Sequence, residues 1–421
     1  MFKVILAGIL FSLATISQGQ NADDWRFSGF ASLGVGRIYE DGQRALGYEN
    51  EWSFDSDSVL GLQLDKELSE RWGFTGQVVA NGYNYTGDEL YTPELEWLLL
   101  RFEPTGDMQF RFGRVRNPMY LYSTTLEVGY TYPWVRPSAN TYPSFLDPFK
   151  HLDGMDFVYS SSYSDLDVEY QLFAGRSEAE FIGLDITAHS VFGANITTRW
   201  SEFTWRFNAE ELEVSILAPD VQAARDGFNG AALQASALNI PEAAEIFTYV
   251  ANNLEAKHKR VHYLSTSFMW EPNQWTFMTE VMHFRNEDNL FSNDADGFYI
   301  SVAYQWGDYT PYITYGEFHN RFADGLVVKI KESEEFIPVN PSGSDLDFLR
   351  ESTVSQLNDY DTEQESIVFG LRYDFHNQAN LKVEVEYFNF INDTSGVFYV
   401  DPGNETPNDG LMTSFVIDVV F

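Results

Sequence analysis

The sequence predicts an all-β protein, an antiparallel β-barrel of about 16 strands that spans a membrane. Apolar and polar residues alternate in one segment after another along the chain, which is the pattern of strands with one oily and one wet face. Aromatic residues make up 16% of the chain although its mean hydropathy is only −0.28. After residue 16 no apolar run reaches about 18 residues, so a membrane-spanning chain would have to cross as strands of a closed barrel.

The first residues form a predicted export signal. Lys3 precedes an apolar run at residues 4–16, and Ser17 and Gly19 are the small residues that a signal peptidase requires before its cut. We predict a signal peptide at residues 1–19 and a single barrel domain at 20–421, because no linker interrupts the repeated pattern. The first strand begins near residue 25, so we expect no plug domain ahead of it.

The clearest alternation lies near the end of the chain. One face of the last strand carries Phe415, Ile417, Val419 and Phe421. The two strands before it carry charges on one face, namely Arg372 in the first and Lys382, Glu384 and Glu386 in the second. Charges on a spanning strand require water, so this pattern predicts a wet interior.

The same pattern recurs along the whole chain, and short connections alternate with long ones. An even strand number brings both termini to the end with the short turns, and about 16 strands leave an aqueous interior. The predicted strands lie near residues 25–36, 57–66, 70–82, 94–103, 107–116, 153–162, 166–176, 189–200, 202–214, 259–271, 274–285, 297–307, 308–318, 365–376, 379–391 and 410–421.

Two long connections differ from the others. Residues 219–257 have apolar residues at helical spacing after Pro241, which predicts a helical insertion. It serves either as a packed surface cap or as a lid or a contact for another molecule. The connection at about 321–363 is acidic and contains Gly and Pro, and we expect part of it to be mobile.

Charge and composition exclude several classes of function. The net charge is −37, which argues against nucleic acid as a partner. The acidic stretches are either solvated loops or a vestibule that attracts cations, with divalent bridging to lipopolysaccharide as a further alternative. The chain has no cysteine, so neither disulfides nor thiolate metal sites are available.

Two motifs resemble those of the Gram-negative porin family. The terminal Phe421, with apolar residues at every second position before it, is similar to the signal that the barrel-assembly machinery recognises. Phe112-Gly113-Arg114 before a long third loop, at about 117–152, resembles the start of the porin constriction loop. The resemblance implies passive diffusion of ions and small hydrophilic solutes across the outer membrane. It also implies a homotrimer, short periplasmic turns, long extracellular loops, a third loop folded into the lumen, and contact with outer-membrane lipids and lipopolysaccharide.

The candidate pore-lining residues are charged side chains near this loop or on the predicted inner face. For each of them ordinary salt bridging is the alternative. Arg114 and Arg116 break the alternation, which requires either a bulge at Gly113 or emergence of the chain into the loop. The arginines would make the constriction locally basic, whereas the acidic vestibules attract cations. We expect a weak net preference for cations. Arg114→Ala and Arg136→Ala should shift this selectivity. The candidates are Arg111, Arg114, Arg116, Glu127, Arg136, Asp147, Lys150, Arg206, Glu210, Arg372, Lys382, Glu384 and Glu386.

The loop also carries aromatic residues, which either pack it against the wall or form a slide for sugars. They are Tyr130, Tyr132, Trp134 and Tyr142.

The sequence offers little support for an enzyme. His262 and Ser265 are three residues apart, so they point to opposite faces of a strand. No metalloprotease or esterase motif occurs, and the Asp294–Gly297 stretch lacks the terminal ligand of a calcium loop. We therefore expect no catalytic residues, metal or cofactor. A structural or adhesive barrel, or less favourably a lipase or protease, remains the alternative to a channel.

Overall fold

The chain forms a closed antiparallel barrel. The structure is a computed structural model that describes residues 25–82, 90–181, 184–254, 256–286, 294–321, 324–340, 343–359, 361–392, 394–400 and 407–421. The predicted signal peptide at residues 1–19 lies outside these ranges.

The barrel contains 16 strands, and the first pairs with the last to close it. The predicted number of strands and their antiparallel order are confirmed. The strands are β1 Arg26–Ile38, β2 Val59–Glu67, β3 Trp72–Asn81, β4 Pro93–Thr105, β5 Met108–Arg116, β6 His151–Tyr163, β7 Leu166–Phe181, β8 Leu184–Trp200, β9 Phe203–Leu217, β10 Lys259–Trp270, β11 Trp275–Asn286, β12 Asp294–Tyr304, β13 Tyr309–Arg321, β14 Thr362–His376, β15 Ala379–Phe390 and β16 Asp409–Val420.

The last strand closes the barrel by pairing with β1, and its side chains alternate between the inside and the outside. In β16, Asp418 is buried and accepts a hydrogen bond from Ser32 across the seam, whereas Ile417 is 38% exposed on the outer face. The backbone of Phe421 exchanges two hydrogen bonds with Gly29. The residues of the predicted assembly signal thus lie on the outward face beside β1, and their recognition during assembly stays a prediction.

The connections alternate in length around the barrel. Those at the end that holds the termini are short turns, at residues 68–71, 106–107, 164–165, 201–202, 271–274, 305–308 and 377–378. Most connections at the other end are long. Among these, loop 1 comprises residues 39–58 and loop 3 comprises residues 117–150.

One predicted long connection is wrong. The predicted strands ended near residue 176 and began again near residue 189, but β7 and β8 continue as paired strands to Phe181 and from Leu184. Ile186 and Ala188 are buried in the apolar core on the inner side, so the alternation extends further than expected.

Two of the long loops form a helical cap. The predicted insertion contains α1 Pro219–Ala237 and α2 Pro241–Asn253, each with a proline in its first turn. The acidic loop after β13 contains α3 Asp324–Phe336 and α4 Asp345–Asp359, which the sequence did not predict. Phe228 and Phe247 lie with ring centroids 6.1 Å apart in the apolar core that these helices share. Among the described residues, no helix has the length and apolarity needed to cross a bilayer.

Two further loops pack against each other. Gln43–Ala45 of loop 1 pairs with Phe398–Val400 of the loop after β15. Tyr48, Phe388 and Phe398 form a small core beneath this pair. The loops over β15, β16 and β1 are therefore fixed by side-chain packing.

We predict that the cap unfolds independently of the barrel. Phe228 is fully buried in the cap core, so Phe228→Ala should destabilise the cap by about 3–5 kcal/mol. Hydrogen exchange in α1 and α2 should accelerate, while exchange in β1–β16 stays the same. The control Leu233→Ala removes a side chain of the same helix that is 74% exposed and should change neither. Equal effects of both substitutions would contradict a separately packed cap.

Candidate constriction of the barrel

Loop 3 folds into the barrel and runs along its inner wall. Near its start, the Asn117 amide donates to Glu210 on β9, at 3.0 Å. In its middle, the Trp134 indole donates to Ser301 and Thr314 on β12 and β13. The Tyr130 hydroxyl reaches the carbonyl of Asn377, which lies in a turn at the end with the termini. The loop therefore occupies the lumen over most of the barrel's length.

The aromatic residues of loop 3 pack the loop against the wall. Trp134 makes an edge-to-face contact with Tyr299 of β12, with ring centroids 5.4 Å apart. Tyr142 stacks on Tyr120 at 4.2 Å, and Tyr132 is buried. Of the two alternatives for these residues, the geometry favours packing, because rings buried against other rings offer no face to a passing sugar.

Arg136 joins three parts of the molecule. Its guanidinium lies 2.6 Å from Asp57 of loop 1, 3.7 Å from Glu384 and 3.8 Å from Glu386 of β15. It also donates to the Ser414 hydroxyl of β16. One cation thus compensates a cluster of carboxylates that would repel one another without it.

Two cations of the wall bind the backbone of loop 3. Lys382 is fully buried, lies 2.9 Å from Asp418, and donates to the carbonyls of Gly129 and Trp134 at 2.6 Å each. Arg372 pairs with Asp374 and donates to the carbonyls of Tyr130 and Tyr132. Charge-assisted hydrogen bonds of this kind fix the loop at several points.

The two ends of loop 3 meet in a second charge cluster. Glu96 of β4 lies 3.1 Å from Arg116 and 3.1 Å from Lys150. Glu127 lies 3.4 Å from Arg116 and 3.9 Å from Lys150. Four side chains from two strands and a loop therefore share their charges where loop 3 leaves and rejoins the wall.

Arg111 projects inward, as its place in the alternation predicted. It binds Asp156 of β6 through two hydrogen bonds, and Gln171 of β7 donates to the same carboxylate. Arg206 also faces inward and donates to the carbonyl of Pro118 in loop 3. Glu210 accepts hydrogen bonds from Asn117 and Asn208.

Arg114 does not face the lumen, which corrects the prediction. It lies opposite Leu98 in the sheet and forms a bidentate pair with Asp153, both bonds measuring 2.8 Å. Leu98 is 45% exposed on the outer face. Gly113 has a φ of +123°, and a Cβ there would meet the Leu98 carbonyl oxygen. The pairing of β5 with β4 continues through Gly113 without a shift. Arg114 is two residues after Phe112 and therefore faces outward as Phe112 does.

The counter-charges were the residues that sequence analysis missed. Asp57, Glu96, Asp156 and Asp418 each pair with a predicted cation. A register shift near Gln77 places Glu96 as an extra residue in β4, so its inward direction does not follow from the alternation. Asp156 and Asp418 do follow the alternation and could have been found on that signal.

The environment of Asp147 favours its neutral form. Burial in loop 3 raises the pKa of its carboxyl to about 6, an effect that Lys150 opposes and Glu127 reinforces. A raised carboxyl pKa means that the folded protein binds a proton that the unfolded chain has already released.

The structure does not bring together the Ser/His pair considered above. Ser265 donates inward to the carbonyl of Met119, whereas His262 lies on the other face beside Glu211. Among the residues that the structure describes, no group of three or more His, Asp or Glu side chains is placed to hold a metal ion.

A closed 16-strand barrel with a loop folded into its lumen is the architecture of a membrane channel. The model of the Gram-negative porins matches residues 10–393, and the chain belongs to this family. It is accordingly a bacterial outer-membrane channel for passive diffusion, which confirms the location and function that the sequence predicted. That the short turns are periplasmic and the long loops extracellular stays a prediction.

Solved structures show the same fold at low sequence identity. The chain is similar to OmpF of Salmonella typhi, with a TM-score of 0.57 and 12% identity over 96% of this chain and 100% of that one. For OprB of Pseudomonas putida the TM-score is 0.55 and the identity 10%, over 95% and 94% of the two chains. For an anion-selective porin from Comamonas acidovorans the values are 0.53 and 8%, over 94% and 99%. No curated protein matches the sequence. At these identities the likeness concerns the fold alone.

We predict a pH-dependent change in selectivity from Asp147. Below its pKa of about 6 the carboxyl is neutral, so the lumen loses one negative charge as the pH falls from about 8 to about 5. Cation preference should therefore decrease as the pH falls. In the opposite direction, the stabilisation that proton binding gives the folded protein should be lost as the pH rises through about 6. Asp147→Asn has no charge at this position, so at both pH values it should show the selectivity that the wild type has at the lower pH. A variant with the full wild-type pH response would exclude Asp147 as its source.

Proposed function

We propose that ions and small hydrophilic solutes pass between loop 3 and the barrel wall, with a weak preference for cations. The observation that carries this proposal is the pairing of the lumenal cations. Arg111, Arg136 and Lys382 each lie within 2.9 Å of a carboxylate. A paired guanidinium or ammonium contributes little net field, so the basic residues near loop 3 do not make the path anion-attracting.

Carboxylates outnumber cations in both lumenal charge clusters. Arg136 faces three carboxylates, and the cluster at the ends of loop 3 adds Glu94 at 3.9 Å from Lys150. The whole chain carries a net charge of −37. Charges on the wall of a narrow pore act on ions more strongly than in bulk water, so this excess favours cations.

The proposal includes a homotrimer in the outer membrane. Large apolar side chains are exposed on the outer face of the barrel, among them Phe192 at 59% and Phe369 at 55%. Such residues suit contact with lipid or with another subunit. Contacts with lipopolysaccharide and recognition by the barrel-assembly machinery belong to the same proposal. We propose passive transport without an enzymatic step, because the chain belongs to a family of channels. Ser215 of β9 and His189 of β8 do share a hydrogen bond of 2.8 Å, but it joins exposed side chains.

Arg136 and Arg114 provide a matched pair for testing the lumenal charges. Arg136→Ala leaves Asp57, Glu384 and Glu386 without their cation, so cation preference should rise by roughly twofold or more, as one added charge a few ångströms from the path requires. Arg114→Ala removes a paired arginine from the outer face and should leave selectivity unchanged. The measurement is the reversal potential in a salt gradient across a planar bilayer.

Two outcomes would overturn parts of this proposal. A wild-type reversal potential on the anion side would reject the cation preference. Unchanged selectivity in Arg136→Ala, with the barrel still folded and conducting, would remove Arg136 from the path. A folded protein that gives no stepwise current in the bilayer would instead favour the structural or adhesive alternative.

A further inference from the structure

We propose that the outward face of β8–β10, at the end with the long loops, binds a phosphate-bearing lipid headgroup, and that protonation of two stacked histidines strengthens this binding. The rim patch that forms the site comprises His189, His258 and Arg260. Such a site rests on the proposed function, because a lipid reaches it only on a barrel in the outer membrane.

The rim patch lies at the edge of the apolar outer surface. On β10 the outward side chains run from Trp270 through Phe268 and Leu264 to His262. A strand rises about 3.4 Å per residue and is inclined by about 40°, so His262 lies roughly 20 Å from Trp270 along the membrane normal. The apolar band of such a barrel is about 25 Å tall. His262 therefore lies where this band ends, at the level of lipid headgroups.

Histidines are concentrated on this rim. Five of the seven in the chain lie on the outward face at the end with the long loops. Histidine is the side chain whose unperturbed charge changes between about pH 5 and 8. Acidification therefore adds positive charge to this rim of an acidic protein. The five are His189, His258, His262, His283 and His319.

Two of these histidines form a fixed pair. The rings of His189 and His258 stack with centroids 4.4 Å apart. A register shift between Glu213 and Val214 of β9 leaves His189 as the extra residue of a bulge in β8. Nε2 of His189 hydrogen-bonds the Ser215 hydroxyl at 2.8 Å, and Nδ1 of His258 lies 2.6 Å from Glu213. The bulge and these bonds hold the two rings side by side on the outer surface.

The pair can donate hydrogen bonds to an external anion. In the described part of the chain, Nδ1 of His189 and Nε2 of His258 have no hydrogen-bond partner, and the His258 side chain is 65% exposed. A protonated imidazole donates from both nitrogens, and two such rings repel each other unless an anion lies nearby. Arg260 is exposed opposite Glu213, and a guanidinium binds phosphate through two parallel bonds.

Charged groups of both signs surround the pair on the same rim, from β7 to β11 and just before β10. Among the described residues they balance while the two rings are neutral, so protonation of the rings leaves an excess of positive charge. A phosphate-bearing headgroup carries the opposite charge. The cations are Arg176, Lys257, Arg260 and Arg285, and the carboxylates are Glu178, Asp185, Glu211 and Glu213.

The next strands of the rim differ in charge. His319 of β13 lies 3.2 Å from Glu363 and 3.6 Å from Glu317, and His283 of β11 pairs with Asp296. A protonated histidine in these places is already compensated by the carboxylates beside it. The phosphate group is therefore assigned to β8–β10, and His319 serves as a control on the same rim.

The test is the retention of lipid by the purified protein. Native mass spectrometry follows a titration with phosphatidylglycerol at about pH 7.5 and at about pH 5.5. The phosphodiester of this lipid keeps one negative charge at both values, so a change in retention reports a change in the protein. Phosphatidylcholine, which has no net charge, is the control lipid. The double variant His189→Gln/His258→Gln removes the pair, and His319→Gln is its matched control.

We expect the affinity of the wild type for phosphatidylglycerol to rise by about tenfold from the higher to the lower pH, because each cation near an anionic lipid contributes up to about fivefold before screening. Retention of phosphatidylcholine should stay the same. The double variant should lose most of the rise, and His319→Gln should keep it. Arg260→Gln should weaken retention by about fivefold at both pH values.

A wild type without preference for phosphatidylglycerol at the lower pH, or a double variant that keeps the full rise, would overturn the inference. Retention in the presence of excess inorganic phosphate supports a lipid as the ligand, and displacement by that phosphate would contradict it. All variants should keep the single-channel current of the wild type, which shows that the barrel is folded. A parent without current is a failure of the proposed function, distinct from lost lipid retention in a conducting channel.

Discussion

Charged groups inside the barrel must be paired, and the contacts that pair them fix the position of loop 3. Strands alternate their side chains, so charged residues that avoid the lipid must project into the lumen. There Lys382, Arg372 and Arg206 meet backbone carbonyls of loop 3, and Arg136 of the loop meets carboxylates of the wall. Each contact satisfies a group that would be costly to bury alone.

This requirement links transport to stability. The side chains that fix loop 3 also set the charge along its edge, so a substitution that alters selectivity also alters the anchoring of the loop. The apolar core that loop 3 forms with the wall also contacts the helical cap, through Ile216. Loop 3 therefore narrows the lumen along its length rather than at one ring of residues, and the barrel outside remains a regular sheet.

The alternation of residues predicted the barrel but not all of its interior. It was sufficient for the number and order of strands because a one-residue shift would move every side chain to the other face. It also found Arg111 and Lys382. It missed Glu96, which lies at a register shift, and Asp57, which lies in a loop. Ion pairs between elements that are distant in the chain form only when the barrel closes. No local sequence pattern predicts them.

Two other differences have local causes. Arg114 was expected inside because a bulge at Gly113 would have turned it, but the strand keeps its register there. The helices α3 and α4 were hidden by their acidic composition, and they are stabilised through contacts such as Leu326 and Ile330 with α1 and α2. Such helices depend on tertiary packing more than on their own sequence.

The most direct test of the central claim is the single-channel current of the wild-type protein in a planar bilayer. A loop 3 that is fixed inside the lumen by paired charges should give small, uniform current steps that stay open with little fluctuation. Large steps typical of an unobstructed barrel, or currents that fluctuate among many levels, would show that loop 3 is not held in the lumen as described.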